Sequence, residues 1–144
     1  MDGNPKILVI EARYYEGISD ALMEGAREVL KMNNVESMKV TVPGALEIPH
    51  VISMAEAANA GYDGYVALGC VIRGETTHYD YVCDHSARAL MDLAVAGQLC
   101  IGNGIITVEN EAQAWARARK SEKNKGGFAA DACLKMIKIK RELQ

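Results

Sequence analysis

The segment that spans residues 69–82 concentrates residue types that can do chemistry. Its sequence, GCVIRGETTHYDYV, ends an apolar run at Arg73 and contains one of only three histidines in the chain. Thr76 or Thr77 can cap a following helix, and the free N–H groups at a helix start attract anions. Arg73 could add a cationic donor, and His78 could move protons near neutral pH. An ordinary helix cap followed by a surface histidine would give the same pattern. The sequence of this segment therefore leaves open both an anion site with a proton-carrying histidine and a purely structural helix start.

Two other segments contain weaker candidates for ligand contacts. The rings of Tyr14 and Tyr15 could stack on a planar ligand, although adjacent tyrosines also occur in cores and interfaces. Glu47 precedes a proline-containing helix and could accept bonds from ligand hydroxyls. A glutamate at a helix start is also favoured by the helix dipole alone, without any ligand.

Strands and helices must alternate along the chain to bring these residues together. Apolar runs predict strands at residues 6–11, 37–42, 65–72 and 98–107. Helical spacing predicts helices at residues 16–32, 45–60, 79–96, 110–119 and 128–141, with a charged loop at 120–127. This order predicts an α/β fold with a four-stranded parallel sheet and helices on both faces. Ligands bind at the carboxyl ends of such strands, so the segments that follow the four strands should meet at one edge.

The bulk composition excludes several classes of protein. The chain has 144 residues, which predicts a single domain over residues 1–144, and its net charge is −3. No basic stripe is present, so we expect no nucleic-acid partner. No apolar run is long enough to cross a membrane, and the first residues lack the layout of a signal peptide. The four cysteines are far apart in apolar surroundings, which indicates reduced, buried thiols and a cytoplasmic location.

Common cofactor motifs are missing from the sequence. The Gly102-Asn103-Gly104 stretch lacks the third glycine and the acidic partner of a dinucleotide-binding motif, and no phosphate-binding P-loop occurs. His78, Cys83 and His85 do not have the spacing of a common zinc site. We therefore expect no metal site.

Four segments resemble those of one enzyme family, the lumazine synthases. VPGALEIP, GCVIRGETTHYDYV, GIITVENEAQAWARA and NKGGFAA occur in the family's order and at its spacings. ARYYEGISDALMEGA resembles the family's first loop and helix, so the resemblance covers nearly the whole chain. It implies a flavodoxin-like three-layer αβα sandwich and a transferase of riboflavin biosynthesis. This enzyme condenses 5-amino-6-(D-ribitylamino)pyrimidine-2,4-dione with 3,4-dihydroxy-2-butanone 4-phosphate, without a metal or organic cofactor.

The resemblance also implies roles for individual residues. His78 matches the family's proton-carrying histidine, and Tyr14 occupies the place of an aromatic residue that stacks on the pyrimidine ring. The residues implied to contact the pyrimidine ring or the ribityl chain are Ala45, Leu46, Glu47, Cys70, Val71, Ile72 and Asn103, with Glu47 accepting a hydroxyl. The residues implied to hold the phosphate are Glu75, Thr76, Arg117 and Lys125, with Arg117 reaching in from a neighbouring subunit.

Departures from the family pattern concern the assembly. Asn103 occupies a position where many members have a phenylalanine that closes the neighbour's pocket, and Leu46 replaces a common aromatic residue. The segment before Arg13 is short, and the sequence after Arg117 lacks the glycine-rich turn of capsid-forming members. We therefore expect a homo-pentamer with active sites between adjacent subunits.

Two alternative functions fit the same scaffold. A catalytically weak flavin- or lumazine-binding paralogue would share the pocket, but it would not need His78, Thr76 and Arg117. A flavodoxin-like FMN redox protein would carry a phosphate loop rich in serine and threonine after the first strand. This chain has ARYYEG there, which disfavours the redox protein.

Overall fold

The computed structural model describes residues 3–144, in which strands and helices alternate along the chain. The elements are β1 (Lys6–Ala12), α1 (Glu16–Met32), β2 (Glu36–Val42), a 3₁₀ turn (Ala45–Glu47), α2 (Ile48–Ala57), β3 (Gly64–Ile72), α3 (His78–Gly97), β4 (Ile101–Val108), α4 (Glu111–Ala118) and α5 (Lys125–Leu143). The single domain predicted for residues 1–144 includes Met1 and Asp2, which lie outside the described residues. No helix within residues 3–144 is both long and apolar enough to cross a membrane.

The four strands form one parallel sheet in the order β2-β1-β3-β4. The predicted fold class is therefore confirmed. The chain leaves β1 towards one side of the sheet to form β2 and then returns to the other side to form β3. Such a reversal separates the connections that follow β1 and β3, which opens a crevice at their carboxyl ends.

Helices cover both faces of the sheet and produce three layers. One core lies between the sheet and α1, α4 and α5, and it contains Ile7, Leu22, Val66 and Cys133. The other core lies under the 3₁₀ turn, α2 and α3. Burial of β1 and β3 on both faces explains why their sequences are almost continuously apolar.

Helix α5 lies unusually close to β4, because two glycines leave room for it. A Cβ on Gly102 would lie 1.8 Å from the backbone oxygen of Ala129, and one on Gly104 would lie 3.0 Å from Ala129 Cβ. The Gly-Asn-Gly stretch is therefore a packing feature of this strand.

Several predicted boundaries were wrong. Strand β4 begins at Ile101, because Gln98 adopts a left-handed conformation that ends α3. The helix predicted for residues 45–60 is a 3₁₀ turn followed by α2, which ends at Ala57. Helix α5 begins at Lys125 within the predicted loop, since the Asn124 side chain caps it by accepting from the Gly127 N–H at 3.2 Å.

Candidate active site

A cleft of about 460 Å³ opens at the carboxyl ends of β1 and β3. Five chain segments line it: the end of β1 with the β1–α1 loop, the 3₁₀ turn with the preceding glycine, the end of β3, the β3–α3 loop, and the first turn and a half of α3. Its lining residues are Ala12, Tyr14, Tyr15, Gly44, Ala45, Leu46, Glu47, Cys70, Val71, Ile72, Gly74, Thr76, His78, Tyr79 and Val82. The cleft lies at the topological reversal of the sheet, where a ligand is expected.

Most residues singled out in the sequence share this cleft. The structure brings together Tyr14, Ala45, Leu46, Glu47, Cys70, Val71, Ile72, Thr76 and His78. Glu75 belongs to the same loop as Gly74 and Thr76 but does not line the cleft. Asn103, Arg117 and Lys125 also lie outside the lining of their own chain's cleft.

The β1–α1 loop forms an aromatic wall. Tyr14 is 77% exposed, and its ring meets that of Tyr15 edge to face with centroids 4.9 Å apart. Burial raises the pKa of Tyr15, so its hydroxyl stays protonated at neutral pH. The exposed face of Tyr14 is free to stack on a planar ligand.

The 3₁₀ turn places a carboxylate in the cleft. Ala45 is buried and Glu47 is half-buried, and the buried Ile48 and Pro49 follow directly at the start of α2. Proline fits the first turn of a helix, because the backbone N–H groups there have no helical partner. The buried start of α2 thus anchors the turn that presents Glu47.

The loop between β3 and α3 has the properties of an anion site. The backbone N–H groups of residues 74–77 have no acceptor within the part of the chain that the structure describes. Helix α3 begins at His78, and its dipole adds partial positive charge at this end. Thr76 Oγ1 accepts from the His78 N–H at 3.2 Å, which leaves the hydroxyl hydrogen available to a ligand. The Thr77 side chain makes no cap hydrogen bond, so the local bond comes from Thr76.

Arg73 does not supply a charge to the cleft. Its Nε donates to Glu109 at 2.9 Å, a second nitrogen lies 3.6 Å from Asp80, and the guanidinium stacks on the Tyr79 ring at 4.3 Å. The suggestion that Arg73 adds a cationic donor is therefore wrong for this conformation. The lining of the cleft includes no arginine or lysine.

The sulfur in the cleft is not a reactive thiolate. Burial raises the pKa of the Cys70 thiol to about 11, so it is neutral at physiological pH. Burial also raises the pKa of Tyr79, which keeps its hydroxyl protonated. The groups left for proton transfer in the lining are the imidazole of His78 and the carboxylate of Glu47.

Several lining residues were absent from the predicted set. Tyr79 and Val82 of α3 line the cleft but were not among the predicted site residues. Tyr79 and Val82 are three residues apart at the start of α3, so they lie on the same side of the helix. This spacing was the signal in the sequence that could have placed both residues in one site. Ala12, Gly44 and Gly74 flank predicted residues and contribute mainly backbone.

The three remote residues have their own contacts within the chain. Asn103 Oδ1 accepts from the Ile105 N–H at 2.9 Å on β4. Arg117 is half-buried on α4 and donates to the Gln113 carbonyl oxygen at 3.1 Å. Lys125 Nζ lies 5.1 Å from the centre of the Phe128 ring.

Comparison with known proteins places the chain in a family. Residues 4–141 match the family model of 6,7-dimethyl-8-ribityllumazine synthase. The chain belongs to this family. A relative of that name from Bartonella tribocorum is 58% identical over 141 residues, which cover 98% of this chain and 93% of the relative. The lumazine synthase of Agrobacterium fabrum is 58% identical over 143 residues, covering 96% of this chain and 97% of the relative. The one from Bartonella bacilliformis is 61% identical over 139 residues, covering 96% and 91%. The resemblance noted in the sequence is thereby confirmed.

Proposed function

We propose that this protein is a lumazine synthase of riboflavin biosynthesis. It condenses 5-amino-6-(D-ribitylamino)pyrimidine-2,4-dione with 3,4-dihydroxy-2-butanone 4-phosphate to give 6,7-dimethyl-8-ribityllumazine, phosphate and water. The observation that carries this proposal is the cleft at the sheet reversal, which combines an aromatic wall, a carboxylate and an anion site. These three features correspond to the heterocycle, the ribityl hydroxyls and the phosphate of the two substrates.

The reaction needs positioning and proton transfer more than a strong nucleophile. The 5-amino group attacks the ketone, and water leaves as the Schiff base forms. Loss of a proton from C3 and of phosphate from C4 gives an enol, which tautomerises to a carbonyl at C3. The ribitylamino nitrogen attacks this carbonyl, and the ring closes with loss of a second water. Tyr14 stacks on the pyrimidine, Ala45, Leu46 and Glu47 hold the ribityl chain, and Cys70, Val71 and Ile72 line the other edge of the ring. His78 carries protons beside the phosphate, which is held by the backbone at Glu75 and by Thr76. Alignment of two substrates supplies several kcal/mol, and a general acid or base adds roughly 10²–10⁴-fold.

A second subunit completes the site in this proposal. The phosphate site contains no cationic side chain of its own chain, and Arg117 and Lys125 lie elsewhere. Arg117, Lys125 and Asn103 therefore act on the cleft of a neighbour in a ring of five subunits. Exposed apolar residues such as Tyr81, Met91 and Val95 follow one helix, α3, and support an interface between copies. We place this enzyme in the cytoplasm, because its four cysteines are free.

An assay with both substrates tests the function. Lumazine fluorescence is followed in the presence of the protein and in a control without it, since the condensation also proceeds unaided. We expect a clear acceleration that falls by about 10²-fold in His78→Ala, because a positioned proton carrier contributes that much. Lys31→Ala, an exposed residue at the end of α1 that lies outside the cleft, serves as the control and should keep the rate. No acceleration by a folded protein would favour a flavin- or lumazine-binding role, which flavin titration would then examine.

A further inference from the structure

Strand β1 ends in a buried carboxylate that the proposed chemistry does not use. Glu11 is 1% exposed, and its side chain does not line the cleft. Its Oε1 accepts from Arg13 Nη1 at 2.8 Å, and its Oε2 accepts from Thr41 Oγ1 at 3.0 Å and lies 3.4 Å from Lys39 Nζ. Burial of a carboxylate this deep is costly unless cations and hydrogen-bond donors pair with it.

Arg13 connects this carboxylate to the start of α1. Its Nη2 lies 2.8 Å from Glu16 Oε2 and 3.3 Å from the Glu16 carbonyl oxygen, and it also donates to Asp20. Its Nε donates to Glu16 Oε2 at 3.1 Å. The planar guanidinium can satisfy all these acceptors together because its donors point in fixed directions. One side chain thus joins the end of β1 to the first turns of α1.

Within residues 3–144 the intervening loop has few other polar contacts, and Tyr15 packs against the core on the α1 side of the sheet. Tyr15 is the N-cap of α1, and it makes no side-chain cap hydrogen bond. Tyr14 is largely exposed, and its aromatic contact within residues 3–144 is to Tyr15. One buried bond, from Ser19 Oγ to the Ala12 carbonyl oxygen at 3.3 Å, adds to the restraint. The direction of the Tyr14 ring therefore depends on how firmly the backbone of residues 13–15 is held.

We infer that Arg13 is a positioning residue, which Glu11 holds in place so that the β1–α1 loop presents Tyr14 to the heterocyclic substrate. The inference rests on the proposed function, since it names the group that orients the ring-stacking wall. When Arg13 is replaced, Glu11 still has its ion pair with Lys39 and its hydrogen bond from Thr41, so the carboxylate in the sheet remains paired. The β1–α1 loop, however, loses the contacts through which Arg13 connects it to α1. Replacement of Arg13 should accordingly weaken binding of the pyrimidinedione and leave binding of the butanone phosphate unchanged.

Steady-state kinetics of Arg13→Met tests this inference. We expect KM for the pyrimidinedione to rise about tenfold, with kcat and KM for the butanone phosphate within about twofold of wild type. Arg13→Lys keeps the positive charge beside Glu11 but loses the planar guanidinium with its several donors. Its KM for the pyrimidinedione should therefore lie between those of the wild type and Arg13→Met. Lys120→Met is the matched control, because it removes a cation bound to Glu24 and Glu28 on the same helix, away from the loop.

Two outcomes would overturn the inference: an unchanged KM for the pyrimidinedione, or an equal rise in both KM values, which would indicate general structural loss. If Arg13→Met fails to fold, the double variant Glu11→Gln, Arg13→Met removes the buried charge and is measured in its place. Calorimetric titration with the pyrimidinedione alone separates this test from the function itself. Even if the wild-type protein does not accelerate the condensation, weaker binding to Arg13→Met supports the positioning role, whereas equal binding or no binding to wild type refutes it.

Discussion

At the scale of single residues, burial decides which groups can take part in chemistry. Cys70, Cys100 and Cys133 are buried, and Cys83 is half-buried, so the prediction of four buried thiols was wrong at one position. All four are free, and burial raises the pKa of each thiol. The apolar surroundings visible in the sequence predicted reduced, buried thiols, and the raised pKa makes each thiol a poor nucleophile at neutral pH.

Cys133 makes this effect measurable. It is fully buried, its Sγ donates to the Cys100 carbonyl oxygen at 3.4 Å, and burial raises its pKa to about 12 from the ordinary value of 9.0. Folding therefore favours the neutral thiol, and this stabilisation is complete below pH 9 and is lost as the pH rises through about 12. Urea unfolding with a reductant at pH 8 and pH 11 should show a loss of stability that is roughly 2–3 kcal/mol smaller in Cys133→Ala than in wild type. Equal losses in the two proteins would show that this thiol is not responsible.

Arg13 shows what a sequence cannot provide at this scale. Its type is visible in the segment ARYYEG, but the buried Glu11 and the two carboxylates on α1 that it contacts are defined only by the fold. The topological rule grouped the segments at the ends of β1, β2 and β3 correctly. It also included residues 107–110 after β4, which do not line the cleft. A connection through one guanidinium follows no such rule.

At the scale of elements, the sequence predicted every strand and α-helix but misplaced several ends, and at the start of α5 the reason is two glycines that serve packing. Gly126 and Gly127 read as a loop, yet both lie in the first turn of α5. A Cβ on Gly126 would lie 2.0 Å from the Leu22 carbonyl oxygen, so this glycine permits close approach of α5 to α1. Glycine indicates a turn and a tight helix contact equally well, and only the tertiary structure separates the two.

The contact between β4 and α5 gives a prediction at this scale. Gly102→Ala would place a methyl group against the backbone of Ala129, which cannot move without shifting α5 away from the sheet. We expect a loss of about 3 kcal/mol in the free energy of unfolding, at the upper end for overpacked cores. Gly69→Ala is the matched control on β3, since its Cβ would have neighbours at 3.7–3.8 Å, an ordinary contact distance. Thermal or urea unfolding of both variants measures the difference, and equal stabilities would contradict the close approach.

At the scale of the whole molecule, the cleft of the single chain lacks the cationic charge that the proposed phosphate substrate would require. Thr76 and the free N–H groups of the β3–α3 loop offer hydrogen bonds, but the lining contains no cationic side chain. Arg117 lies on α4, on the opposite face of the sheet from α3. The sequence family implied a contribution from a neighbour, and the geometry of one chain explains why the site would need it. Asn103, in place of the family's common phenylalanine, would leave that shared pocket less apolar.

Subunit complementation tests this arrangement directly. His78→Ala and Arg117→Ala are each expected to lower kcat by at least about tenfold, because each removes one part of the same site. In mixed rings formed by unfolding and refolding the two variants together in equal amounts, some interfaces pair an intact His78 with an intact Arg117 from the adjacent subunit. Random mixing gives such pairs at about a quarter of the interfaces, so activity should recover to about a quarter of the wild-type value. The two variants refolded separately and then combined serve as the control and should show no recovery. The two variants could also co-assemble without any recovery of activity. That result would show that His78 of one subunit and Arg117 of the next do not form a shared site.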